Sequence, residues 1–321
     1  MGTPDFAVPC LDNLVNSEHE VVAVITATDK LGGRGRKQLL QSAVKKYAIE
    51  HDIPVLQPPN LKNKQFIEEL RSYQADLQIV VAFRMLPVVV WNMPELGTYN
   101  LHGSLLPRYR GAAPINWAII NGDKETGVTT FKLKHEIDTG SIAHQESMPI
   151  HPDDNVESVH DRMKELGAKV ILKTVNDIAA GTITLSEQDN SKVTKAPKIF
   201  HDDCKLDFNS DVITLYNKIR GLSPYPTAWT TFDNKKLKVF KSSYKVEHYD
   251  VELGVFVYDR STKSLRWYVK NGYIDLEFIQ LEGRRRMVVR DFINGYDLKV
   301  EELPFLIRDY SSQGGGDAVI R

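Results

Sequence analysis

An amide, an imidazole and a carboxylate stand beside turn-forming residues in this chain. Asn100 and His102 lie in Asn100-Leu101-His102-Gly103-Ser104-Leu105-Leu106-Pro107, and Asp138 lies in Ile137-Asp138-Thr139-Gly140. These groups suit the attack of an amine on a formyl or acyl carbon, in which negative charge develops on the carbonyl oxygen and a proton leaves the nitrogen. Asn100 can donate from its NH2 group, and a protonated His102 can donate as well. Two residues apart, they face the same side of an extended backbone. Asp138 is suited to hold the imidazole in one orientation and keep it cationic, or to relay the proton through water. Each residue alone is an ordinary turn former. The combination is what points to acyl transfer.

Positioning these groups requires a scaffold, and the first part of the chain alternates strand and helix patterns. Glu20 to Ala27 and Leu77 to Ala82 are Val-rich apolar runs of buried-strand type, with helical patterns over Gln41 to His51 and Lys64 to Tyr73 between them. Gly97 to Leu101 reads as a further strand ending at the candidate site. Pro114 to Asn121 and a segment within Asn155 to Ala179 read as helices. Such alternation predicts an α/β fold with a doubly wound, mostly parallel, Rossmann-like sheet. Ligands then sit beyond the carboxyl ends of the strands, where Asn100 and His102 fall.

From 186 to 203 the sequence turns polar and irregular, as a linker would. Ser210 to Arg220 reads as a helix capped by Gly221. Short β-like runs follow at Ala228 to Phe232, Leu237 to Phe240, Gly254 to Tyr258, Leu265 to Val269 and Tyr273 to Leu281. Their spacing predicts a small barrel. The expected layout is a catalytic domain over 1–185, a linker over 186–203, a β domain over 204–310 and a disordered tail over 311–321.

Composition narrows the function. With 321 residues the chain can build more than one core, and a formal net charge of −1 supplies no global basic field for nucleic acid. Any RNA contact must use local patches. The two cysteines, Cys10 and Cys204, suit a reducing compartment and lack metal-ligand spacing, so no metal is expected. No secretory leader pattern opens the chain, and no run of about twenty apolar residues could span a bilayer. A cytoplasmic protein without a membrane partner is expected.

The chain resembles the folate-dependent formyltransferases, most closely those acting on methionyl-tRNA. The resemblance is carried by Gly2-Thr3-Pro4-Asp5-Phe6-Ala7, by the stretch from Asn100 through Pro114, by Gly127-Val128-Thr129, by Ile137 to Gly140, and by Glu282-Gly283-Arg284-Arg285-Arg286-Met287. It implies transfer of the formyl group of 10-formyltetrahydrofolate to the α-amino group of methionyl-initiator tRNA in translation initiation, by a monomer. Asn100, His102 and Asp138 are then catalytic. Ser104, Leu105, Leu106 and Pro107 lie against the folate, with Phe83 to Pro87 nearby, although many relatives carry an aromatic-Gly step where this chain has Phe83-Arg84. The carboxyl-terminal domain is OB-like.

Two basic segments are candidates for the tRNA backbone. The loop from Thr28 to Lys37 lacks the ending of a phosphate-binding Walker loop. By resemblance it enters the acceptor end, with Arg34 as the position carried over, and Arg36 and Lys37 are the further basic candidates in the same loop. Arg284, Arg285 and Arg286 form the second cluster, which Lys235, Lys236 and Lys238 would extend. Relatives of this kind have a short apolar strand just before the Gly2 to Ala7 segment. The resemblance therefore implies that Met1 is an internal methionine and that the first strand of the sheet is missing. Alternative readings are a nucleotide-amino-sugar formyltransferase, a formyltetrahydrofolate hydrolase, and a noncatalytic RNA- or folate-binding module.

Overall fold

The computed structural model describes residues 1–32, 38–259, 262–296 and 317–320. They form two units. The first comprises Met1–Pro114, Glu125–Pro149 and Val159–Pro197, and the second comprises Ile115–Lys124, Ile150–Ser158 and the chain from Lys198 onward.

The chain opens with helix α1 (Val8–Val15), strands β1 (Val24–Ile25), β2 (Lys30–Gly32) and β3 (Gln38–Leu40), and helix α2 (Ala43–Glu50). Next come β4 (Val55–Leu56), α3 (Lys64–Ser72), β5 (Leu77–Val81), α4 (Val88–Trp91), β6 (Gly97–His102) and β7 (Arg110–Gly111). After α5 (Pro114–Ile120), strands β8 (Glu125–Lys132) and β9 (Ile142–Pro149) precede the long helix α6 (Val156–Ala179) and β10 (Lys195–Ala196). Side chains fix the helix starts: Ser42 accepts from the Lys45 N–H ahead of α2, and Asn63 accepts from Gln65 and Phe66 ahead of α3.

The sheet of the first unit is mixed. Strands β5 and β6 are parallel, as alternation with helices requires, but β8 and β9 add to β6 as antiparallel neighbours in the order β5-β6-β8-β9. The α/β sheet expected from the sequence is present, with an antiparallel edge where β8 and β9 form a hairpin that needs no crossover helix. Strand β1 pairs in parallel with β4. Only Val24 and Ile25 of the apolar run from Glu20 to Ala27 have ladder partners on β4, which is itself two residues long.

Met1 and Gly2 stitch the two parallel pairs together. The Met1 amine donates to the Ile79 carbonyl at 2.6 Å, Val81 N–H to the Met1 carbonyl at 2.9 Å, and Gly2 N–H to the Ile25 carbonyl at 3.1 Å. Burial pulls the Met1 ammonium down to about 5. A cleft of about 430 Å³ lies beside it, with Ala23, Val24, Ile25, Leu77 and Ile79 in its lining. Helix α6 closes approach from one face: Gly167 lets the helix meet Leu101 of β6, whose side chain lies 2.6 Å from where a Cβ would stand.

The second unit contains α7 (Val212–Gly221), β11 (Ala228–Phe232), β12 (Lys235–Val246), β13 (Phe256–Asp259), β14 (Ser264–Val269), β15 (Gly272–Leu281), β16 (Met287–Val288), α8 (Val289–Gly295) and β17 (Asp317–Ile320). Its antiparallel sheet runs β11-β12-β15-β14-β13-β17, with β16 on β15. Among the described residues no pairing joins the two ends of that path. The core gathers Leu215 and Ile219 of α7 with Phe232, Phe256, Trp267, Ile274 and Phe292. Gly221 is the last residue of α7, not the residue beyond its end. Its missing side chain serves close packing, since a Cβ there would stand 2.6 Å from the Ile120 side chain and 3.2 Å from the Asn116 carbonyl. Of the tail, only 317–320 is described, as a strand paired with Phe256–Asp259.

Candidate active site

Strand β6 carries the amide and the imidazole to the end of the sheet. Asn100 pairs with Val80 on one side and Phe131 on the other, so its position is fixed within the ladder. Its side chain is half-buried and makes no hydrogen bond among the described residues. His102 shares that face of the strand and is 6% exposed. Its Nε2 lies 2.8 Å from the Tyr109 carbonyl. A carbonyl can only accept, so Nε2 carries a proton and Nδ1 is the nitrogen left for chemistry. Nδ1 stands 3.8 Å from Asp138 Oδ2, beyond hydrogen-bond length but within close ion-pair range.

Asp138 is held from two sides. Its Oδ2 accepts the Gly111 N–H at 2.9 Å, and its backbone sits at φ 55°, the left-handed region in which Asp is tolerated better than most residues. Gln188 donates to the Asp138 carbonyl at 2.9 Å and to the Gly140 carbonyl at 2.8 Å. Gly140 is required for a close approach, because a Cβ there would stand 1.7 Å from the Lys132 carbonyl.

The turn after His102 is held by hydrogen bonds to its neighbours. The Ser104 hydroxyl donates to the Arg108 carbonyl at 2.6 Å. Thr129 Oγ1 donates to the Ser104 carbonyl at 2.6 Å and accepts the Leu106 N–H at 3.0 Å. Gln145 Nε2 donates to the Leu106 carbonyl at 2.7 Å and to Thr129 Oγ1 at 2.9 Å. Ser104 and Leu106 are buried, Leu105 is half-buried, and a cis peptide joins Leu106 to Pro107. The Ser104 hydroxyl and the Leu106 N–H thus have partners before any ligand arrives.

The chain is similar to known proteins along nearly its whole length. Residues 1–175 match the family described as Formyl transferase, and residues 198–297 match Formyl transferase, C-terminal domain. It is 49% identical to the methionyl-tRNA formyltransferase of Azobacteroides pseudotrichonymphae genomovar. CFP2, over 92% of this chain and 94% of that protein. This chain belongs to the methionyl-tRNA formyltransferase family. A second methionyl-tRNA formyltransferase, from Bacteroides fragilis, is 49% identical over 93% of this chain and 94% of its own length. Among solved structures, the sugar 3N-formyl transferase WlaRD, determined with dTDP and 5-N-formyl-THF, aligns with a TM-score of 0.64 at 19% identity. It covers 88% of this chain and 97% of that one, and the likeness speaks to the fold alone.

The expected tRNA contacts fall differently. Arg34, Arg36 and Lys37 lie outside the described residues, between β2 and β3, which form an antiparallel hairpin. Arg284, Arg285 and Arg286 follow β15 in the second unit. Arg284 donates to the Gly295 carbonyl at 3.2 Å and lies over the Tyr296 ring, while Arg286 lies 4.0 Å over the Phe240 ring. Arg285 is exposed, and among the described residues its side chain has no partner.

Sequence reasoning missed Thr129, Gln145, Gln188 and Thr194 as supports of the site. Thr129 stood in a matched motif, but its neighbour across the turn was not deducible from spacing. Gln188 and Thr194 lie in the stretch read as a linker, and their side chains bond to the backbone of Tyr109, Asp138 and Gly140. Among the described residues there is no group of three or more His, Cys, Asp or Glu side chains that could hold a metal, and no helix is long and apolar enough to cross a membrane.

Proposed function

We propose that Asn100, His102 and Asp138 carry out formyl transfer from 10-formyltetrahydrofolate to the α-amino group of methionyl-initiator tRNA. The reaction class follows from family membership at about half identity over 92% of the chain. The amine lone pair attacks the formyl carbon, forming a C–N bond and moving the carbonyl electron pair onto oxygen. Collapse of this intermediate breaks the bond to folate N10, which takes up a proton as the amine loses one. Formylmethionyl-tRNA and tetrahydrofolate result.

The observation that carries the assignment is the arrangement at His102: one nitrogen tied to the Tyr109 carbonyl, the other free beside the Asp138 carboxylate. With Nε2 committed, Nδ1 exchanges the proton and, when protonated, donates to the developing oxyanion. The carboxylate beside it holds the ring's orientation by proximity. The unengaged Asn100 amide supplies the second donor. Preorganised donors of this kind are worth about 10²- to 10³-fold in rate each. Ser104, Leu105, Leu106 and Pro107 form the turn against which the pterin lies. The Ser104 hydroxyl and the Leu106 N–H are engaged within the protein, so the turn reads the folate by shape and through its remaining backbone groups.

Arg34, Arg36 and Lys37, in the segment between β2 and β3, together with the Arg284–Arg286 cluster, contact tRNA phosphates. These contacts give affinity without sequence reading. The working form is a monomer in the cytoplasm, where initiator tRNA is charged.

Acceptor choice is tested by incubating the protein with formyl-labelled 10-formyltetrahydrofolate and either methionyl-initiator tRNA or a nucleotide-linked amino sugar. Label on the methionyl amine is the expected result. Label on the sugar, or release as formate with no acceptor labelled, overturns the assignment.

A further inference from the structure

Residues 186–196 run along the catalytic segment and not away from it. Thr194 Oγ1 accepts the Tyr109 N–H at 2.8 Å, its carbonyl accepts the Arg110 N–H at 3.0 Å, and β10 pairs in parallel with β7. Gly111 is needed for that approach, since a Cβ there would lie 2.4 Å from the Ala196 carbonyl at a φ of 132°. Tyr109 supplies the carbonyl that fixes His102 Nε2, and Gly111 supplies the N–H that fixes Asp138 Oδ2. Both anchors of the pair therefore sit on a segment held by this strap.

Gln188 joins the two halves of that arrangement. Its side chain spends both amide protons on the Asp138 and Gly140 carbonyls, and its oxygen accepts from Arg110 Nε at 3.0 Å and Nη2 at 2.7 Å. The residue is 8% exposed, and all four bonds go to the two loops that meet at the His102–Asp138 pair. An amide is the only side chain of this length that both donates twice and accepts here: a carboxylate cannot donate, and a cation cannot accept.

From this we infer that Gln188 is a positioning residue for formyl transfer. It acts through Asp138 by holding that residue's left-handed backbone at the angle which brings Oδ2 to His102. It touches neither substrate. The inference rests on the catalytic assignment of Asp138 above.

The test is a double-mutant cycle with Gln188→Met, which keeps length and bulk but removes the four bonds. Displacement of a catalytic group by about 1 Å costs on the order of 10²-fold in rate. Gln188→Met is expected to lower kcat about 10- to 100-fold while KM for methionyl-tRNA and for 10-formyltetrahydrofolate stays within about threefold. In an Asp138→Asn background the same change is expected to slow the enzyme by less than about threefold, since the group it positions is already disabled. Parental kcat in Gln188→Met, raised KM with unchanged kcat, or losses that multiply in the double mutant all overturn the proposal. Should Gln188→Met not fold, Gln188→Glu retains the Arg110 contact, loses both donations, and is expected to show the same pattern. If Asp138→Asn alone turns over at the parental rate, it is the assignment of Asp138 that has failed, and Gln188 loses its role with it.

Discussion

His102 Nδ1 stands 3.8 Å from Asp138 Oδ2, while the opposite ring nitrogen donates to the Tyr109 carbonyl at 2.8 Å. The imidazole is thus pinned by its far side, and the nitrogen facing the carboxylate stays available. A gap of that length leaves Nδ1 free to bond to substrate with the Asp138 carboxylate close beside it.

Removing the ring should therefore be costly to rate and mild to fold. His102→Ala is expected to lower kcat at least about 100-fold. The Tyr109 carbonyl loses its partner, at a stability cost on the order of 1–3 kcal/mol. Steady-state kinetics paired with urea unfolding separates the two effects, and a kcat within threefold of the parent would remove His102 from the mechanism.

Thr129 is the hub of the Ser104–Pro107 turn, against which we propose the folate lies. Thr129→Val leaves the Ser104 carbonyl and the Leu106 N–H without their buried partner. The expected loss is roughly 2 kcal/mol of stability, with a several-fold rise in KM for 10-formyltetrahydrofolate as the turn loosens. Unchanged KM in a folded variant would show that the turn does not set folate affinity.

The three arginines after β15 should not be equivalent. Arg284 and Arg286 lie over the Tyr296 and Phe240 rings, whereas Arg285 is exposed with no partner among the described residues. Arg285→Ala is expected to weaken tRNA binding and to lower the slope of log affinity against log salt by about one. Titration of tRNA binding at several salt concentrations reads both, and an unchanged slope would take Arg285 off the phosphate backbone.

Asp211 caps α7. It accepts from Asn271 Nδ2 and the Ile213 N–H, and these bonds, Asn271 first, hold its carboxyl below the usual carboxylate range. Asp211→Ala is expected to cost about 1 kcal/mol, the usual value of such a cap. A lowered folded value means the stabilisation is complete above the ordinary carboxylate value near pH 4 and fades as pH falls through the folded one. The difference between parent and Asp211→Ala in urea unfolding should then be constant from pH 8 to pH 5 and shrink in stronger acid. A difference that grows on acidification would reverse the sign of this linkage.

The sequence made some of this legible. Strand β6 and the groups at its end could be read because apolar alternation stops at Asn100, His102 and Gly103, with a second turn motif at Asp138. Strand β8 was not seen, since both its faces are buried and carry threonines, Thr129 on one and Thr130 on the other, whose hydroxyls are satisfied by Ser104 and Thr174. A polar residue with a distant partner looks like a loop residue from sequence alone. The same reason hid the strap: Gln188 and Thr194 are polar because they bond to the backbone of Tyr109, Asp138 and Gly140. The eight-residue apolar run ending at Ala27 promised a longer strand than β1 supplies. Strand length is set by neighbours, and among the described residues β4 gives it two paired positions.

The most direct measurement is the single-turnover rate of formyl transfer to methionyl-initiator tRNA by Asp138→Asn, with the protein saturated in both substrates. The substitution preserves size and leaves a carbonyl oxygen to accept the Gly111 N–H, so the loop keeps its shape while the charge beside His102 Nδ1 disappears. The account predicts a rate at least about 100-fold below that of the parent, with circular dichroism and unfolding midpoint unchanged. A rate within threefold of the parent would contradict the catalytic assignment at its centre.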